Sequence, residues 1–187
     1  MRSIIKCPYY YFDGVIPDAM CDTIVELGKT KEQMIAGINV ENTSDNKMRK
    51  GEVAWIKDDW VQQMLETYAS KANIEAGWHF VVDSKEHIQF ATYEDSAFYD
   101  YHRDCNILQA QYRKLSISVQ LSSPDDYDGG DLLMKHFWGT TNLPMDKEIK
   151  NKGTIIVFPS ILLHKVTPVT EGTRHSLVQW FSGPDFV

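Results

Sequence analysis

A mostly-β domain with helices packed outside it is the fold class that this sequence predicts, and three observations carry the prediction. Six β-rich runs crowd the later part of the chain, at 78–82, 87–93, 115–121, 132–136, 154–158 and 175–181. Turn residues separate them, notably Pro124, Gly129 with Gly130, Gly153 and Gly172. Two stretches of helical periodicity precede them. No repeat, low-complexity tract or Pro-, Gly- or Ser-rich linker interrupts the 187 residues, so one domain over 1–187 is expected. Such strands build a curved antiparallel sheet or β-sandwich. A jelly roll or double-stranded β-helix fits the count, although the count alone does not choose it over other all-β folds.

The elements follow in order. Residues 4–12 are rich in Ile, Tyr and Phe and read as a strand. Pro17-Asp18 opens a helix to about Lys29, because proline suits a first turn and Ile24, Val25 and Leu27 supply an apolar side. Residues 38–52 are polar and read as a long exposed loop. Asp58 and Asp59 head a second helix, with Val61, Met64, Leu65, Tyr68 and Ala72 on one face. Helical support is therefore expected over roughly 15–76 and the β core over roughly 78–183. Residues 134–152 read as a loop at the mouth of the β core, where loops often select substrate.

Composition narrows the function. A net charge of −7, from 19 basic and 26 acidic residues, argues against a general phosphate-backbone binder, despite a short basic run at 47–50. Cys7, Cys21 and Cys105 are odd in number and widely spaced, which suggests neither a disulfide framework nor a thiolate zinc site. No stretch approaches the about 18 apolar residues of a membrane span, and the first residues lack the apolar run of a signal peptide. A stand-alone, soluble cytoplasmic domain is expected.

Chemistry enters at His102-Arg103-Asp104. Alternation along an extended segment puts His102 and Asp104 on one face and Arg103 on the other. A third ligand from an opposing strand would complete a two-histidine, one-carboxylate set, which leaves positions open on an octahedral metal. His164 follows the run at 154–158, and Arg174 comes ten residues later. If these two lie on neighbouring strands, both face one cavity. A guanidinium there offers a planar fork to a carboxylate, as a dicarboxylic keto acid chelating the metal would need. Ser176 shares the strand face of Arg174. Ser116, Ser118 and Gln120 share a face of their own run.

These pieces form an ordered set. Tyr93-Glu-Asp-Ser96-Ala-Phe-Tyr99-Asp-Tyr-His102-Arg-Asp104 resembles the Tyr-x-x-Gly-x-x-Tyr-x-x-His-x-Asp signature of the prolyl 4-hydroxylase-like iron(II)/2-oxoglutarate dioxygenases, with Ser96 in place of the glycine. Arg113-Lys-Leu-Ser-Ile-Ser-Val-Gln-Leu-Ser122 and Asp126-Tyr-Asp-Gly129-Gly130-Asp-Leu132 resemble the strand and turn that follow. His164-Lys-Val-Thr-Pro168 and Gly172-Thr-Arg174-His-Ser176-Leu-Val-Gln-Trp180-Phe-Ser-Gly183-Pro184 resemble the distal histidine and arginine strand. Arg49-Lys-Gly-Glu-Val-Ala-Trp55-Ile56 is similar to a segment near the substrate loop. The resemblance spans roughly residues 5–187.

It implies a double-stranded β-helix with flanking helices, with iron(II) held by His102, Asp104 and His164. It also implies 2-oxoglutarate held at its far carboxylate by Arg174. Tyr93 would line the co-substrate pocket with Ser176 and Gln120, the last standing where some relatives place a tyrosine. The implied reaction consumes O2 and 2-oxoglutarate, hydroxylates a C–H bond and is supported by ascorbate. The leading substrate is a peptide or protein with proline as target; a free amino acid or other small molecule is the alternative. Arg49, Trp55, His136 and Trp138 are candidate substrate contacts. Neither nucleic acid nor membrane is an expected partner. A zinc hydrolase on the same ligands would need a general base such as glutamate beside the metal, and the nearest, Glu94, falls in a loop. A non-catalytic β-barrel binding module would leave the ligand set and Arg174 without a purpose.

Overall fold

The structure, a computed structural model, describes residues 7–36, 48–106, 112–137 and 139–185. The chain runs β1 (Tyr10–Phe12), α1 (Asp18–Lys29), β2 (Met34–Ile35), β3 (Arg49–Lys50), β4 (Glu52–Ile56), α2 (Asp59–Glu75), β5 (Ser84–Lys85), β6 (Ile88–Tyr93), β7 (Phe98–His102) and β8 (Arg113–Gln120). It continues through β9 (Tyr127–Gly129), β10 (Leu132–Met134), β11 (Ile155–Pro159), β12 (His164–Val166), β13 (Val169–Gly172) and β14 (Arg174–Ser182). The major sheet has the order β1-β11-β8-β14-β6-β4-β2, with β5 added beside β14. A minor sheet, β10-β12-β7-β3, accompanies it, and β13 pairs with β9. All the pairings are antiparallel. This is the mostly-β jelly-roll architecture that the sequence predicts, with its two helices outside.

Alternation in the central strands sets up everything else. Ile88 and Phe90 of β6, Leu115, Ile117 and Val119 of β8, and Leu177 and Phe181 of β14 share a core with Cys21 and Ile24 of α1 and Val61, Leu65, Ala69 and Ala72 of α2. Gly28 of α1 rides on the Phe90 ring so closely that a Cβ there would stand 2.5 Å from it. The residues between, on the opposite face, are equally buried but largely polar: Gln89, Ser116, Ser118, Gln120, Arg174 and Ser176. A second apolar cluster, including Ala91, Met134, Ile156, Phe158 and Val166, fills the rest of that side.

The structure departs from the sequence reading in four places. The strand expected at 4–12 is confined to Tyr10–Phe12; residues 7–9 stay outside it, and 4–6 lie outside the described residues. Residues 78–82 are not a strand. They fold back on the end of α2, where the Asn73 carbonyl accepts from the backbone N–H groups of Trp78 and His79, and the Asn73 side chain brackets Phe80 through its N–H and carbonyl. The expected loop at 38–52 ends in strands, because β3 and β4 occupy Arg49–Lys50 and Glu52–Ile56, and β4 joins the major sheet beside β6; residues 37–47 lie outside the described residues. The segment 15–76 is therefore helical support with sheet strands threaded through it. Across 134–152, a bridge between Lys135 and Asn142 and a short 3-10 turn at Lys147–Lys150 replace a plain loop. In the turn before β7, Asp95 and Ser96 both adopt left-handed backbone, with φ of 47° and 66°. No helix among the described residues is long and apolar enough to cross a membrane.

Candidate metal centre

The minor sheet brings the two histidines together. β12 pairs with β7 so that His164 stands directly opposite His102, their rings 4.2 Å apart between centroids. Asp104 lies two residues beyond His102, with one carboxylate oxygen 3.5 Å from His102 Nε2 and the other 3.5 Å from His164 Nε2. One ligand atom from each of the three fits within 4.8 Å of the others. Each histidine Nδ1 faces a backbone carbonyl, that of Asp100 for His102 at 2.8 Å and that of Leu162 for His164 at 2.9 Å. A carbonyl only accepts, so Nδ1 carries the proton and Nε2 presents a lone pair toward Asp104.

Burial opposes ionisation of Asp104, but the imidazoles of His164 and His102 and a hydrogen bond from Ser116 outweigh it and hold the carboxyl well below the usual range. Burial pushes the His164 imidazole down to about 4; Asp104 pulls against this and His102 reinforces it. Burial thus favours the neutral form of the His164 imidazole, the form in which a histidine binds a metal cation.

The His102 ring stacks on Tyr99 at 3.5 Å, and the Arg49 guanidinium lies over the Tyr99 ring at 4.5 Å. Burial raises the Tyr99 hydroxyl to about 12, against the pull of Arg49, so the phenol stays protonated. Arg49 donates to Gln89 Oε1 at 2.7 Å. Its Nε is buried without a hydrogen-bond partner among the described residues.

On the major sheet, Arg174 is 1% exposed. It donates through Nη2 to Gln120 Oε1 at 2.9 Å, reaches Ser176 Oγ from Nη1 at 3.5 Å, and lies over the Tyr93 ring. No carboxylate pairs with it among the described residues, and its Nε is also without a partner. A fully buried cation with no counter-ion is costly, by several kcal/mol in effective terms. Space beside it is kept by Gly130, where a Cβ would come within 2.9 Å of Arg174 Cδ.

One cavity joins these parts. Of the residues singled out from sequence, His102, Asp104, His164, Arg174, Tyr93, Ser176 and Arg49 line it, and Gln120 reaches it through Arg174. His164 and Arg174 are not on neighbouring strands: β12 belongs to the minor sheet and β14 to the major one, and the two side chains meet across the space between the sheets. Trp55 lies opposite Gln89 on β4 without lining the cavity. His136 lines a separate surface groove with Tyr9 and Tyr11; its N–H donates to the Thr141 carbonyl beyond the end of β10. Trp138 lies outside the described residues. Tyr99, Trp180 and Gln89, to which the sequence alone assigns no site role, line the cavity as well. The signal for Gln89 and Trp180 was their place in the alternating, site-facing positions of β6 and β14.

The donor set and the unpaired guanidinium fit iron(II) and 2-oxoglutarate together: two imidazole nitrogens and one carboxylate for the metal, and a buried cation for the far carboxylate of the keto acid. Comparison with known proteins points the same way. The chain is 34% identical over 97 residues to a PKHD-type hydroxylase of Alteromonas mediterranea, a match covering 49% of this chain and 41% of that relative. It is 26% identical over 162 residues to a PKHD-type hydroxylase of Idiomarina loihiensis, covering 81% and 71%. The chain therefore spans less than half of the first relative and more of the second. In fold it is similar to a Pseudomonas putida prolyl-4-hydroxylase, with a TM-score of 0.72 at 20% identity over 96% of this chain and 95% of that one. It is similar also to a Trichoplax adhaerens prolyl hydroxylase solved with a hypoxia inducible factor peptide fragment, with a TM-score of 0.74 at 16% identity over 95% and 84%. The family model of the 2OG-Fe(II) oxygenase superfamily matches residues 88–182, the span that carries all three candidate ligands and Arg174, and the chain belongs to that superfamily.

Proposed function

We propose that this chain is a 2-oxoglutarate-dependent dioxygenase that hydroxylates a C–H bond, with a peptidyl prolyl residue as the leading target. The observation that carries the reading is Arg174, a buried guanidinium without a carboxylate partner among the described residues, facing the His102, Asp104 and His164 set across one cavity. His102, Asp104 and His164 would hold iron(II) through two Nε2 atoms and one carboxylate. Arg174, oriented by Gln120 and Ser176, would grip the far carboxylate of 2-oxoglutarate against Tyr93. Iron(II) and 2-oxoglutarate together supply the oxidising chemistry with O2, and ascorbate maintains the metal in its reduced state.

The chain's own contribution is binding, orientation and exclusion of water. Leu132, Phe158, Val166 and Val178 make part of the cavity wall apolar, which keeps reactive chemistry away from solvent. Arg49, on the Tyr99 side, would donate to a carbonyl or carboxylate oxygen of the substrate. Relatives named PKHD-type hydroxylases and the prolyl hydroxylase folds support the peptidyl reading. A zinc hydrolase is disfavoured, because Asp104 is the only carboxylate lining the cavity among the described residues. Three free cysteines suit a reducing cytoplasm.

The test is succinate formation from 2-oxoglutarate under air with iron(II) and ascorbate, with and without a proline-rich peptide. Wild type is expected to turn over, and His102→Ala and Arg174→Ala to fall to background. Stimulation by the peptide supports the prolyl target. Absence of turnover in every condition, with no 2-oxoglutarate binding, overturns the proposal.

A further inference from the structure

Behind Asp104 stand two hydroxyls that no ligand role explains. Ser116 on β8 and Ser160, just past β11, are both 0% exposed. Ser116 Oγ lies 2.6 Å from Asp104 Oδ2 and 2.9 Å from Ser160 Oγ. Ser160 is tied to the same place by its backbone: its carbonyl accepts from the N–H groups of Asp104 and Cys105, and its own N–H donates to the Lys114 carbonyl. Direction follows from counting protons. Ser116 has one hydroxyl hydrogen, and a carboxylate oxygen only accepts, so at 2.6 Å that hydrogen belongs to Asp104. Ser160 must then be the donor to Ser116. The chain reads Ser160 to Ser116 to Asp104 Oδ2, one way, inside the protein.

The consequence concerns how many oxygens Asp104 can offer. A carboxylate free to turn can present both oxygens to one cation. Here Oδ2 already accepts a charge-assisted hydrogen bond from Ser116, which fixes the carboxylate plane, while each oxygen stands 3.5 Å from one histidine Nε2. We infer that Ser116 and Ser160 are positioning residues that hold Asp104 as a one-oxygen ligand and so keep a coordination position open for the co-substrate and O2. Ser160 also heads the short segment leading to His164, so one anchor sets the approach of two ligands. The inference rests on reading the cavity as a metal centre.

The experiment uses cobalt(II), which binds such sites and reports coordination number through its visible absorption, without turnover. Affinity is measured by competition with a chromophoric chelator on wild type, Ser116→Ala, Ser160→Ala and Ser116→Thr, each checked for native circular dichroism. Ser116→Ala is expected to bind about 10- to 100-fold more weakly, the usual loss when an outer partner of a ligand is removed. Its cobalt spectrum should shift toward a higher coordination number. Ser160→Ala should change both in the same direction by less, and Ser116→Thr, which restores the hydroxyl, should return both toward wild type. If Ser116→Ala fails to fold, Ser160→Ala carries the test. Wild-type affinity and spectrum in the alanine variants overturn this inference alone. Failure of wild type to bind cobalt(II) overturns the metal reading and this inference with it.

Discussion

The two faces of β6, β8 and β14 are equally buried and chemically opposite. Toward the helices they present Ile88, Phe90, Ile117, Val119 and Leu177, each 0% exposed. Toward the cavity the same strands present Gln89, Ser116, Ser118, Gln120, Arg174 and Ser176, at 0 to 7%. Burying each large apolar side chain stabilises the fold by about 1.5–3 kcal/mol. Burying a polar group contributes nothing net unless it is fully bonded, and an unpaired cation costs far more. Burial alone therefore does not distinguish core from site. Polar residues recurring on one face of three neighbouring strands do, whereas an isolated one such as Gln179 on the helix face is tied to the Glu86 carbonyl.

The largest expected effect is at Arg174. Arg174→Met should weaken 2-oxoglutarate binding by at least about 30-fold, the lower end for truncating one partner of a buried charge pair. The ligand-free protein should at the same time become more stable, by about 1–4 kcal/mol, as a lone buried cation is replaced by an apolar chain. Calorimetric titration and urea unfolding measure the two arms; lower stability would mean that the cavity face is core after all. Leu177→Ala, three residues along but on the helix face, should lose about 2–5 kcal/mol in urea unfolding, with 2-oxoglutarate affinity per folded molecule unchanged. A change in affinity there would break the separation of the faces.

The smallest effect is a pH dependence. His175, stacked on Phe90 at 5.4 Å, is depressed to about 4 by burial and by Lys29, with Glu26 opposing and Arg174 adding to the depression. Its neutral form is the one that folds. Stability from this group is full above the ordinary imidazole value of 6.5 and is lost as pH falls toward 4. His175→Phe should flatten the fall of the urea midpoint between pH 7 and pH 5; an unchanged slope would place the titration elsewhere.

What was legible in sequence was local or ordered along the chain. α1 and α2 announce themselves through Pro17 and the apolar stripe from Val61 to Ala72. His102, Asp104, His164 and Arg174 stand out as a set because their order and spacing survive reading in one dimension. What stayed hidden depends on pairing between distant segments. A two-residue strand such as Arg49–Lys50 has no period to detect. Residues 78–82 carry β-prone side chains, yet Asn73 captures their backbone first. The facing of β12 and β14 across two sheets, and the meeting of Ser160 with Ser116, follow from register and not from spacing.

The turn before β7 has a further consequence. Ser96 holds a backbone conformation that costs a residue with a side chain about 1–2 kcal/mol, whereas glycine's greater freedom when unfolded costs it about 0.5–1 kcal/mol. The difference is a reserve of heat tolerance, on the order of 2–4 °C per kcal/mol for a chain of this size, that lies outside every cavity-lining group. Position 96 is thus a place where thermal robustness can be raised without altering a side chain that lines the cavity.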